Sequence, residues 1–149
     1  MMQAKAWLLD IGLAYMAAVG VREVMHLLDV PVTYAIPCTP PYCNRVVSWQ
    51  GRLLPVMDIP LRVGGESLQA RFMAVVGFRA PQGGAVDYGA IPLVSPPRQI
   101  LVGDDQACAL PEYMHRMDRL AMSCFKFEEQ PVPILNLQLL FGPPPVANG

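Results

Sequence analysis

Apolar residues run along this chain in short bursts punctuated by proline and glycine, and long stretches at helical spacing are missing. Ala4 to Ile11 and Ala14 to Val21 read as two apolar strands meeting near Gly12, with Asp10 and Gly12 as turn chemistry, so a hairpin is expected. The apolar run from Ile11 to Val21 is too short to span a membrane, and Asp10 separates it from Trp7-Leu8-Leu9; a buried strand is expected there rather than a secretion signal. Val21, Val24, Met25 and Leu28 fall at i, i+3, i+4 and i+7, which predicts a helical turn or two before Pro31. Pro37, Pro40 and Pro41 make the next segment an irregular connection. Arg45 to Gln50 and Arg52 to Val63 then read as strands around Gly51, closed by Gly64-Gly65. Ala70 to Phe78, Ala85 to Val94 and Leu120 to Phe127 are further strands, and Pro111 to Met117 reads as a short helix with proline at its first position.

The strongest long-range pattern is an internal repeat. Leu54-Pro55-Val56-Met57-Asp58-Ile59-Pro60-Leu61-Arg62-Val63-Gly64 aligns with Val132-Pro133-Ile134-Leu135-Asn136-Leu137-Gln138-Leu139-Leu140-Phe141-Gly142 at a constant offset of 78. Read as strands, both copies carry one wholly apolar face: Leu53, Pro55, Met57, Ile59 and Leu61 in the first, Pro131, Pro133, Leu135, Leu137 and Leu139 in the second. On the other face both turn polar at the same step, Asp58 and Asn136. Duplication of a small β-barrel explains this pattern; the alternative is two unrelated strands of common composition.

Composition agrees with many short elements. The chain has 149 residues, 53% of them hydrophobic and 15% charged, enough for a well-filled core without a metal or disulfide staple. Its 16 prolines are spread along the sequence, which favours short strands and rigid turns over long helices. A net charge of −1 leaves no basic stripe for phosphates, so proteins and not nucleic acids are the expected partners. Four cysteines, Cys38, Cys43, Cys108 and Cys124, are too sparse for a disulfide scaffold and fit a reducing compartment, the cytoplasm.

Catalytic and metal chemistry find little support. No Gly-rich phosphate loop, His-Glu-x-x-His helix or Gly-x-Ser-x-Gly elbow is present. Ser123-x-x-Lys126 matches a serine–lysine pattern by letter, but on a strand those side chains point to opposite faces. Cys38 and Cys43, with His26, Cys108 or His115, do not complete a zinc set at structural spacing, and small half-buried thiols are the better reading. Asp104-Asp105 and Glu128-Glu129 read as solvated turn charge. No catalytic residue, cofactor or metal is expected.

From Tyr15 to Gly64 the chain resembles the CheW-like family. The likeness runs through Val21-x-Glu23-Val24, Pro37-x-x-Pro40-Pro41-Tyr42-Cys43, and Val46-Val47-Ser48-Trp49-Gln50-Gly51-Arg52-Leu53-Leu54-Pro55-Val56-Met57-Asp58-Ile59. Phe72 to Val76, Tyr88-Gly89-Ala90-Ile91 and Pro131 to Leu137 echo the family's second half. The resemblance implies an all-β chain of two SH3-like five-stranded barrels side by side with little helix. It covers residues 1–149 as one CheW-like domain: a first subdomain over about 1–69, a second over about 70–142, and a disordered tail at 143–149.

The resemblance further implies a non-enzymatic adaptor of bacterial chemosensory signalling, in chemotaxis or pilus-based twitching motility. Such an adaptor joins a chemoreceptor cytoplasmic tip, held in a groove between barrels, to the regulatory domain of a CheA-like histidine kinase, without inserting into the membrane. The partner surface is expected to draw on Val21, Glu23, Asn44, Val47, Trp49, Gln50 and Arg52, with Trp49 either a lid on the core or an anchor for the partner. Two positions depart from the family. Asn44 replaces a glycine, and Ser48-Trp49-Gln50-Gly51 replaces Asn-Leu-Arg-Gly, so Gln50 stands where an arginine could make bidentate contacts. The departures leave open an uncoupled homologue acting as a decoy or dimerisation module. From another class, a small metal or thiol-redox protein using Cys38 and Cys43 is the remaining alternative.

Overall fold

The computed structural model describes residues 3–79 and 83–142. The expected tail at 143–149 and the Pro81-Gln82 part of one turn lie outside the described residues.

Among the described residues, eleven strands form two curled sheets, or half-barrels. The expected first hairpin forms, but with a longer connection and a shorter second strand than the sequence suggests: β1 (Gln3–Leu9) pairs antiparallel with β2 (Ala17–Gly20), Trp7 opposite Val19, and residues 10–16 link them. β3 (Val24–Asp29) follows, then the short β4 (Thr33–Ala35), a 3₁₀ turn at Pro41–Cys43, and the hairpin of β5 (Arg45–Trp49) and β6 (Arg52–Val56). Helix α1 (Ile59–Arg62) leads to β7 (Phe72–Arg79) and β8 (Val86–Leu93). β9 (Arg98–Gly103), 3₁₀ turns at Asp104–Gln106 and Glu112–Met117, β10 (Ala121–Phe127), β11 (Gln130–Leu135) and helix α2 (Leu137–Phe141) complete the chain.

The strand order is β10-β11-β2-β1-β9 in one sheet and β3-β7-β8-β6-β5-β4 in the other. Only the first is five-stranded; β4 adds a sixth strand to the second. The sheets also do not divide at residues 69 and 70. The six-stranded half is continuous from β3 to β8, whereas the five-stranded half takes β1 and β2 from the start of the chain and β9 to β11 from its end. Long-range pairing decides this, through the parallel bridge of Ile134 to Ala18.

The repeat survives in a changed form. In each copy the strand stops after a few residues, and an Asx side chain caps a short helix in place of the long apolar-faced strand expected. Asp58 Oδ1 accepts from the Leu61 amide at 3.2 Å, and Asn136 Oδ1 accepts from the Leu139 amide at 3.2 Å. Val56 makes the parallel bridge to Ala90, and Ile134, 78 residues on, makes the one to Ala18. The two copies therefore occupy equivalent places, β5-β6-α1 against β8 and β10-β11-α2 against β2. Leu53 and Leu139 are 66% and 53% exposed, so the expected apolar faces are not buried throughout.

The expected helix after Val21 is β3, paired antiparallel to β7. An irregularity between Val24 and His26 shifts the register by one residue, taking the apolar positions out of strict alternation so that they imitate helical spacing. Central strands are buried on both faces. Ala74 and Val76 of β7 enter a core shared with Leu9, Ala17 and Val19 of the other sheet, while Met73 and Val75 line the interior of their own half. Leu8 and Ala18 line the interior of the first half with Phe125 and Val132. One shared core thus fixes the halves against each other, and one smaller core fills each curl.

Candidate functional site

The β5–β6 hairpin carries most of the expected surface residues. Trp49 pairs with Arg52 across a two-residue turn in which Gln50 and Gly51 both have positive φ, +49° and +75°. Such turns match the right-handed twist of the flanking strands, and glycine accepts the second position without strain. Gln50 and Arg52 are exposed at this tip. Trp49 shares the inner face with Val47 and is half-buried against the core of its half, its ring 5.4 Å from Tyr88. The Arg52 guanidinium lies 5.0 Å above the Tyr88 ring. Trp49 therefore packs against that core while remaining partly exposed. Val47, expected at the partner surface, is only 2% exposed; its side chain points inward and no partner can reach it.

The other expected residues lie apart. Asn44 is exposed at the start of β5, about 20 Å along the strand from Gln50, and its carbonyl accepts from the Ile36 amide at 2.8 Å. Val21 and Glu23 sit in the turn between the halves. Trp7 Nε1 donates to the Val21 carbonyl at 3.1 Å. The Glu23 carboxylate accepts from the Gly20 amide at 2.7 Å, and its carbonyl accepts from the Gly77 amide at 2.8 Å. Burial pushes the Glu23 carboxyl above its ordinary range, and the Gly20 amide partly offsets this. Glu23 thus both clamps the turn and faces outward.

It faces a groove of about 300 Å³ between the halves, lined by Glu23, Gly77, Phe78, Arg79, Met122, Asn136, Leu137 and Gln138. Helix α2 is seated here: Gln138 Nε2 donates to the Arg79 carbonyl, and Phe141 stacks on Phe78 with ring centroids 5.4 Å apart. Gly89 lies beneath that ring, where a Cβ would collide with Phe141.

A second surface went unseen in the sequence. Val30, Val32, Tyr34 and Leu53 are 55–69% exposed around the edge of the six-stranded sheet, where Tyr34 lies across from Val46, and Val46 from Pro55. Apolar residues on both faces of β5 and β6 were its only signal. Exposed apolar clusters of this kind mark protein contacts.

The serine–lysine and acidic pairs noted in the sequence do not come together as a catalytic group among the described residues. Ser123 and Lys126 stand three apart on β10 and so point to opposite faces. Asp29 is engaged with Arg71 at 2.8 Å on the surface. Among the described residues, no three His, Cys, Asp or Glu side chains converge as a metal site, and no helix is long and apolar enough to cross a membrane.

Two half-barrels related by an internal repeat, joined by a common core with a groove between them, define a small β-rich scaffold. The CheW-like domain model matches residues 8–83, just over half of the chain, and the protein belongs to that family. Among solved structures, the scaffolding protein TtCheW from Thermoanaerobacter tengcongensis superposes with a TM-score of 0.73 over 95% of this chain and 94% of its own, at 15% identity. At that identity the likeness is one of fold. No curated protein sequence gives a significant match.

Proposed function

We propose that the protein is a non-enzymatic adaptor of a bacterial chemosensory system, working in the cytoplasm and linking a chemoreceptor tip to the regulatory domain of a CheA-like histidine kinase. The observation that carries this reading is the CheW-like pair of half-barrels, which spans the described chain and leaves two kinds of surface free. The groove at Glu23 and Gln138 suits an elongated receptor tip, and the exposed tip at Gln50 and Arg52, beside the apolar edge at Tyr34 and Leu53, suits a folded partner. The output is chemotaxis or pilus-based motility.

Capture of a purified kinase regulatory domain and of a receptor cytoplasmic fragment tests this directly. Binding of both is expected, and Gln50→Arg is expected to tighten the kinase contact by restoring a bidentate donor at the hairpin tip. Failure to capture either partner overturns the proposal. Gln50 itself favours a second reading, an uncoupled decoy or dimerisation module, for which sedimentation would show self-association in place of kinase binding.

A further inference from the structure

The connection from β9 to β10 returns to its own strand through cysteine. Ala107 bridges antiparallel to Phe125, which sets Cys108 opposite Cys124, and the Cys108 amide donates to the Cys124 carbonyl at 3.0 Å. The two sulfurs are 3.4 Å apart. Facing residues in a hydrogen-bonded antiparallel pair have Cα atoms about 5.5 Å apart, inside the span a disulfide requires. Cys108 is half-exposed, while Cys124 is only 6% exposed beneath it. One thiol therefore meets solvent and the other waits behind it. This pair is distinct from Cys38 and Cys43, the cysteines that the sequence offered for redox chemistry.

We propose that Cys108 and Cys124 form a reversible redox pair that closes to an internal disulfide by exchange with a low-molecular-weight disulfide. The Cys108 thiolate attacks one sulfur of the oxidant, whose S–S bond breaks. A mixed disulfide forms on Cys108, and the first small thiolate leaves and takes up a proton. Cys124 then loses its proton and attacks the Cys108 sulfur, and the second small thiolate leaves and is protonated. Two electrons and two protons have moved from the pair to the oxidant, which is reduced to two thiols. Burial and the neighbouring Cys108 push the Cys124 thiol up to about 12. Burial still holds Cys124 mostly protonated once Cys108 is in the mixed disulfide, so the closing step is expected to be faster at alkaline pH.

Closure would staple a segment that also touches the other half. Met114 and Met117 of this connection are buried, and Arg116 Nη1 donates to the Val63 carbonyl at 3.1 Å, across to the six-stranded side. Oxidation therefore rigidifies a strap between the halves.

The test uses the reduced full chain incubated with glutathione disulfide, followed by alkylation of the remaining thiols and peptide mapping. A species two hydrogens lighter is expected, with Cys108 joined to Cys124, Cys38 and Cys43 alkylated, and a melting temperature raised by roughly 6–12 °C until dithiothreitol reverses it. Cys124→Ser should arrest the reaction with glutathione held on Cys108, and Cys38→Ser/Cys43→Ser should leave closure intact. Mapping in the unmutated chain decides the matter even if a variant folds poorly. Four free thiols after incubation at pH 9, glutathione retained on Cys108 of the unmutated chain, or a bond between Cys38 and Cys43 in place of this one would each overturn the proposal.

Discussion

Removing the two helix caps of the repeat should have unequal consequences, because the two sites share a backbone position but not a hydrogen-bond load. Asn136 accepts from one amide, that of Leu139. Asp58 accepts from the equivalent amide of Leu61 and, through Oδ2, from Ser67 Oγ at 2.7 Å and the Leu68 amide at 3.2 Å. Loss of a helix cap costs about 1 kcal/mol, and hydrogen bonds to a charged group contribute more than neutral ones. Asn136→Ala is therefore expected to destabilise by about 1 kcal/mol and Asp58→Ala by about 2–3 kcal/mol, since the segment through Leu68 is released as well. At roughly 2–4 °C per kcal/mol for a chain of this size, the melting point should fall by a few degrees in the first variant and by about 5–10 °C in the second. Asp58→Asn separates the contributions: it keeps an oxygen for Leu61 but turns an amide N–H₂ toward the Leu68 N–H, so its cost should lie between the other two. Urea unfolding of all three at pH 7, analysed by linear extrapolation, provides the measurement. Equal losses at the two caps, or a loss below about 0.5 kcal/mol for Asp58→Ala, would refute the assignment of Asp58 as the anchor of the following loop.

Two further outcomes follow from the site geometry. Trp49→Ala should destabilise by about 2–4 kcal/mol, because a half-buried indole and its contact with Tyr88 are lost, while the folded fraction still captures the kinase domain; intact stability with lost capture would make Trp49 an anchor instead. Glu23 carries a folded-state carboxyl raised above its unfolded value, so its contribution is fully present below the unfolded pKa and is lost as pH rises through the folded one. Stability relative to Glu23→Gln should accordingly fall as pH rises above the ordinary carboxylate range, and a flat or rising difference in urea titrations would contradict the burial of this carboxyl.

Local chemistry was legible in the sequence because it is written in nearest neighbours. Asp10 and Gly12 announced the β1–β2 turn, Gly51 the β5–β6 turn, and the 78-residue offset the equivalence of Val56 with Ile134 and of Asp58 with Asn136. The same letters did not say that Asp58 and Asn136 end their strands. An Asx side chain can face solvent on a strand or cap a helix, and only the packing of Ile59 and Leu137 into the shared core selects the cap. Nor could β3 be told from a helix while its bulge broke the alternation. The inward turn of Val47, the half-burial of Trp49 and the meeting of Cys108 with Cys124 depend on how sheets curl and which strands lie side by side. The division of the chain was the least visible of all. A repeat shows that two units exist, but which strands complete each one depends on pairing between β2 and β11, over a hundred residues apart in sequence. That closure is decided by burying β1 and β2 on both faces, a gain that exists only once both halves are assembled.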